Sequence, residues 1–332
     1  MRNRAIDILK FAASIFVVMI HVSPPGTDGL FIKGLARFAV PVFFICSGYF
    51  SYKLSITKDY SKIGKRILSL FKMLIITFVI YYIGLILISN PEKFYSALVS
   101  FDGWKKFFLA NYLFVSWFSF LWFLSALIYC YAIYAVFIKI KLVKILKLTP
   151  ILIIAAIVVF DFLVRNDNYN VNAAYFRNFL FDGLPFFMVG FIIKENESKV
   201  KKLGTKIPLV FTAAGIGIFI AEFIFVNDLS ELYFGTAIMA VSLFIFALNF
   251  KCPDCFNKLY LIDSMSLYIY LSHKLIKEIV TKLFNDVFLV EASIADNIKP
   301  VVVLTVSILF SYLISKVIDK CKHKKNNMQK IS

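Results

Sequence analysis

The sequence predicts an all-α integral membrane protein of about ten transmembrane helices with both termini cytoplasmic. Three observations carry that expectation. Of the 332 residues, 60% are hydrophobic, against roughly 45–50% in soluble globular chains, and the mean hydropathy is +0.80. The apolar residues fall into ten runs near the length a helix needs to cross a bilayer, about 20 residues. The 37 Lys and Arg against 20 Asp and Glu sit in short clusters between those runs, a pattern that reads as membrane topology rather than as a nucleic-acid surface.

The first run, Ala5–Val22, contains Asp7 and Lys10 and lacks a small-residue cleavage site, so it reads as a retained helix and not a signal peptide. Leu35–Tyr52, Ile67–Ser89 and Phe118–Ile138 follow, with Phe107–Trp117 read as an interfacial or half-buried tract before the last of them. Pro150–Val164, Phe179–Ile193, Ile207–Val226 and Tyr233–Phe250 supply the next four. Tyr260–His273 is short, and Ile298–Ile318 closes the set. Between those two, Lys274–Lys299 reads as partly helical and amphipathic.

Counting Lys and Arg in alternate loops gives 24 on one side and 11 on the other, which places the richer side and both termini in the cytoplasm. No loop is long enough to fold as a unit of its own. Residues 1–319 therefore read as a single membrane domain and 320–332 as a basic cytoplasmic tail able to touch anionic lipid. The expected setting is the plasma membrane, crossed many times. The five cysteines show no framework of paired spacings, and Cys252-Pro253-Asp254-Cys255 reads as a turn. A structural zinc takes four ligands and no second pair lies near, so no metal is expected.

Ionisable residues inside a membrane span are costly and point to function. The first helix has Asp7, Lys10 and His21. Eleven residues at about 100° each bring Lys10 and His21 within roughly 20° of one stripe, about 16 Å apart along the axis. Two readings stand side by side here. One is a snorkelling Asp7–Lys10 ion pair with a His at the far edge; the other is a cation and a titratable base placed for a reaction spanning two compartments.

Ser47 and Gly48 read as helix-packing residues. Lys62-Ile63-Gly64-Lys65-Arg66 is a basic cluster that serves as a topology signal or as a clamp for the phosphates of a nucleotide-like donor, and spacing alone favours the first. Arg177 reads as a binder of an anionic or polyhydroxylated acceptor or as an interface anchor, and His273 is a second His at a helix edge on the side expected for His21.

Asp7-Ile8-Leu9-Lys10 leading to His21, then Phe43-Phe44 with Ser47-Gly48-Tyr49, the basic loop, Leu121-Trp122-Phe123-Leu124, Leu184-Pro185-Phe186-Phe187 with Gly190, and Ile269-Tyr270-Leu271 with His273 together resemble the acyltransferase-3 membrane family over nearly the whole chain. The family's basic residue followed after ten positions by His falls on Lys10 and His21, with Lys where Arg is commoner. Its paired-arginine signature falls on Lys62, Lys65 and Arg66, with Ser69 where a second Arg would follow.

The resemblance implies a membrane O-acyltransferase for acyl groups other than amino-acyl, with about ten helices. It implies acetyl-CoA as a cytoplasmic donor substrate with no bound cofactor, and a hydroxyl of a cell-surface glycan as acceptor. On that pattern His21, Lys10 and Asp7 are catalytic, Lys62, Lys65 and Arg66 bind the donor, and Arg177, His273 and Trp122 line the acceptor side. A subset of the family resembling the membrane domains of vancomycin-resistance serine racemases implies the rival class, a transporter or binding module for a small polar solute such as an amino acid.

Overall fold

Fifteen α-helices carry the chain in the computed structural model, which describes residues 3–164, 175–226, 230–253 and 261–331; every described element is helical. They are α1 (Arg4–His21), α2 (Gly26–Leu35), α3 (Ala39–Thr57), α4 (Tyr60–Ile88), α5 (Glu92–Val99), α6 (Phe101–Ala110), α7 (Trp122–Lys139) and α8 (Val143–Leu146). Then come α9 (Ile151–Val164), α10 (Leu184–Glu195), α11 (Glu197–Lys201), α12 (Lys206–Val226), α13 (Phe234–Asn249), α14 (Ile262–Lys282) and α15 (Ala292–Ile331).

Among the described residues the ten apolar runs are mostly helical, and five spans are long and apolar enough to cross a membrane: Gly26–Thr57, Tyr60–Ile88, Ser116–Lys139, Lys206–Phe225 and Ala292–Cys321. The others are shorter or more charged, as α1 is with Arg4, Asp7 and Lys10. A lipid-facing side is plain on α4, where Leu68, Phe71, Ile75, Val79, Ile83 and Ile86 are exposed at helical spacing while Leu74, Tyr81 and Leu85 are buried opposite them. In water such a face would be an aggregation surface; in hydrocarbon it costs nothing.

Local chemistry sets the helix ends. Asn3 caps α1 by accepting from the N–H groups of Ala5 and Ile6 at 3.0 and 3.3 Å, and α1 stops before Ser23-Pro24-Pro25, which cannot continue a helix. Asp59 caps α4 through the Lys62 N–H at 3.0 Å. α14 runs nine residues past His273, further than its apolar run, because Lys274, Lys277, Glu278 and Lys282 interrupt the apolar pattern without interrupting the helical period. α15 continues through Lys320 to Ile331, with Pro300 inside it. Arg2, Arg165 and Lys258, used in the charge count, and Asp254 and Cys255 of the expected turn lie outside the described residues.

Packing divides the chain into two units, residues 1–39 with 250–332, and residues 40–249. In the first, α1, α14 and α15 bury an apolar cluster of Val18, Val22, Ile269, Ile276, Val280 and Val303. In the second, α3 and α10 cross at a distance only glycine allows. A Cβ on Gly48 would lie 1.7 Å from the Phe187 carbonyl oxygen, and one on Gly190 would lie 1.9 Å from that of Ile45. The packing reading of Gly48 therefore holds, with Gly190 as its reciprocal partner.

Candidate active site

Three groups of candidate side chains stand out, one in the first unit and two in the second. In the first, α1 and α14 lie side by side and run in the same direction, joined by a polar contact at each end. At the lower end the Lys10 ammonium bonds the Asp263 carboxylate and lies 3.4 Å from that of Asp7. Arg4 is 3.8 Å from Asp7 on its other side. At the upper end the rings of His21 and His273 face one another with centroids 5.1 Å apart and planes 34° from parallel. The rungs match because ten residues separate Asp263 from His273 and eleven separate Lys10 from His21, nearly equal rises at about 1.5 Å per residue.

His273 is fully buried, and its Nδ1 lies 2.8 Å from the Tyr270 carbonyl oxygen and 3.2 Å from that of Ile269. Only a protonated Nδ1 can donate to a carbonyl, so these contacts select the tautomer in which Nε2 is the basic nitrogen. Between the rungs the shared face is packed rather than open. Val18 is 1% exposed within the apolar cluster, and the buried Ser14 turns its hydroxyl back to the Phe11 carbonyl at 2.7 Å. Lys10 is thus a cation matched by two carboxylates.

The basic cluster lies in the second unit at the start of α4, and its three members differ. Lys62 pairs with Asp59 at 2.8 Å. Side-chain and backbone hydrogen bonds from Lys62 hold the Asp59 carboxyl below its usual range. Lys65 is exposed to solvent. Arg66 turns inward, its Nη1 donating to Ser51 Oγ at 2.9 Å and Tyr131 OH at 3.4 Å, and its Nη2 to the Phe50 carbonyl at 3.4 Å. Tyr134 OH completes this knot by donating to the Ser51 carbonyl at 2.9 Å. Arg66 therefore ties α4 to α3 and α7.

Trp122 and Arg177, apart in sequence, are brought together. The Arg177 guanidinium lies 5.7 Å from the centroid of the Trp122 ring, and its Nη1 is 3.5 Å from Glu231. The neighbouring Asn178 accepts from the N–H groups of Leu180 and Phe181 at 2.8 and 3.0 Å. From α6's end, Asn111 in the left-handed region (φ 54°) accepts from the Phe179 N–H at 2.9 Å. These bonds fix the approach to a π-helical turn at Phe179–Gly183. Sequence reasoning missed Asp263, Glu231, Asn178 and Asn111; only Asp263 carries a signal, standing one helix length before a His as Lys10 does.

Among the described residues no group of three or more His, Cys, Asp or Glu is arranged to hold a metal ion. A family model described as an acyltransferase domain matches residues 3–318. No curated protein and no solved structure matches the chain.

Proposed function

The chain belongs to the acyltransferase-3 family, and from that premise we propose that it transfers an acetyl group from acetyl-CoA to a hydroxyl of a cell-surface glycan, in the plasma membrane. The observation that carries this reading is the imidazole pair of His21 and His273 at one end of the α1–α14 contact. In the proposed step, His21 takes the acceptor's hydroxyl proton as that oxygen attacks the thioester carbonyl. The C–S bond breaks, and the proton passes from the imidazolium to the departing thiolate. His273 holds its place beside His21 through the Tyr270 carbonyl. Lys10, Asp7 and Asp263 keep the two helices in register.

Lys62 and Lys65 hold the donor's phosphates, and Arg66 sets the start of α4 from which both project. Trp122 and Arg177 offer a ring face and a cation to a polyhydroxylated acceptor. The test is turnover by the purified full-length protein in lipid nanodiscs, followed as free thiol released from acetyl-CoA. Release that requires a polyhydroxylated acceptor supports the reading. Solute uptake into vesicles that needs no acetyl-CoA, with no thiol release from any acceptor, overturns it in favour of a carrier.

A further inference from the structure

Residues 40–249 hold a further feature, lined by none of the residues assigned to acyl transfer. α9, α10, α12 and α13 enclose a slot of about 560 Å³. One wall is a single stripe of α13, made by Phe234, Ala237, Ile238, Val241 and Ile245. Its spacing of three, four, seven and eleven residues is that of one helix face. From Phe234 to Ile245 the stripe rises about 16 Å, close to half of the roughly 30 Å hydrocarbon core, the depth of one leaflet. Facing it are Ile207, Pro208 and Phe211 of α12 and Ile153 and Ile154 of α9. Phe211, Ile207 and Ile154 are 56, 45 and 56% exposed, so the slot opens along its side.

The lining is apolar apart from Ser242, whose hydroxyl is occupied by Thr212 Oγ1 at 2.9 Å and the Ile238 carbonyl at 2.8 Å. Nothing in it would hold a sugar or a nucleotide. One end differs in kind. Leu203 and Ile207 border the slot there, and each is next to an exposed lysine, Lys202 and Lys206. Lys206 is also the first residue of α12, where the helix end adds partial positive charge. Lys201 nearby is matched by Glu197 at 2.7 Å. An apolar slot of one leaflet's depth, open at its side and cationic at one end, fits an amphiphile with a long hydrocarbon chain and an anionic head.

We propose that the slot holds one acyl chain of an anionic phospholipid, with its phosphate headgroup at Lys202 and Lys206. Each lysine near an anionic headgroup favours it by about fivefold over a zwitterionic one. The full-length protein in mild detergent is exchanged with equimolar phosphatidylglycerol and phosphatidylcholine of the same 16-carbon chains, washed, and the retained lipid counted by mass spectrometry. One phosphatidylglycerol per chain, enriched at least tenfold, is expected. Lys202→Gln with Lys206→Gln, both at the surface, should bring the enrichment close to unity. Ala237→Phe should fill the slot and lower retention of both lipids, and where that variant fails to fold, eight-carbon chains in the unaltered protein test the same point by being retained at least tenfold less. Equal retention of the two lipids, enrichment that survives the double lysine variant, or indifference to chain length would each overturn the proposal in favour of lipid held loosely around the protein.

Discussion

His21 ends α1 and His273 lies nine residues from the end of α14, yet their rings meet at 5.1 Å between centroids, the upper of two polar rungs joining helices from opposite ends of the chain. If the two imidazoles act on one proton, their removal is not additive. His21→Ala should lower kcat by about 10²–10⁴, His273→Ala by a smaller factor, and the double variant should be no worse than His21→Ala alone. Membrane insertion should be intact in all three. Multiplying losses would show two independent roles.

The lower rung predicts an asymmetry. Lys10→Met removes the cation that Asp7 and Asp263 share, with Arg4 still 3.8 Å from Asp7, whereas Asp263→Asn leaves Lys10 beside Asp7. Melting of the detergent-solubilised protein should therefore fall further for Lys10→Met. Asp263→Asn, at a site 40% exposed, should cost no more than about 1 kcal/mol. Adding Asp7→Asn to Lys10→Met should recover part of the loss, because it removes the repulsion. Equal losses for the two single variants would mean that the charges do not act as a set.

Within the basic cluster, the division between binding and bracing can be measured. Lys65→Gln and Lys62→Gln should raise KM for acetyl-CoA and flatten its salt dependence with little change in melting. Arg66→Gln should instead lower the melting temperature, since it leaves Ser51 and Tyr131 without their guanidinium partner. A cost of about 1–3 kcal/mol fits one charged hydrogen-bond partner lost from such a site. An Arg66→Gln protein of normal melting and raised KM would return that residue to the donor site.

Gly48→Ala and Gly190→Ala should each separate α3 from α10, because the new methyl meets a backbone carbonyl that cannot turn aside. A loss of about 3 kcal/mol or more is expected for either, seen as early melting or aggregation on size exclusion. Gly217→Ala is the control. Nothing lies within 4 Å of its added carbon, and in a helix the change should gain roughly 1 kcal/mol.

Glu197 makes a pH prediction at the α10–α11 junction. Burial raises its pKa, but hydrogen bonds from Lys194 and Lys201 outweigh that and bring it from 4.5 to about 2. A carboxylate depressed in the folded state adds stability that is full above about 4.5 and is lost as the pH falls toward 2. The melting difference between the unaltered protein and Glu197→Gln should therefore shrink over that window. A constant difference from pH 6 to pH 2 would contradict the pairing.

Helical structure was legible because apolar runs of bilayer length have few other uses, and the described residues of those runs are mostly helical, although only five spans are long and apolar enough to cross a membrane. The helix beyond His273 was legible too, as part of the partly helical Lys274–Lys299, but its continuity with the apolar run before it was not, since Lys274, Lys277 and Lys282 end that run while keeping helical phase. His21 and His273 each stood out as ionisable residues in apolar helices. Their meeting did not, nor did the link from Lys10 to Asp263, because pairing across 253 positions leaves no local trace. The inward turn of Arg66 was hidden for a different reason: composition shows that an arginine is present near a membrane end, and only the placement of Ser51 and Tyr131 decides which way it points.

The in-register contact of α1 with α14 also sets an order of events during synthesis. α14 begins at Ile262, long after α1 ends at His21 in the order of synthesis. Until then Lys10 lacks one of its two carboxylates and His21 lacks its neighbouring ring, so a ribosome-bound chain holds half of each rung. Every nascent intermediate lacks the imidazole pair, and premature termination anywhere before Ile262 leaves a truncated product without it. α1 must wait in the membrane until α14 has followed it, and only a chain translated as far as His273 can bring the two histidines together.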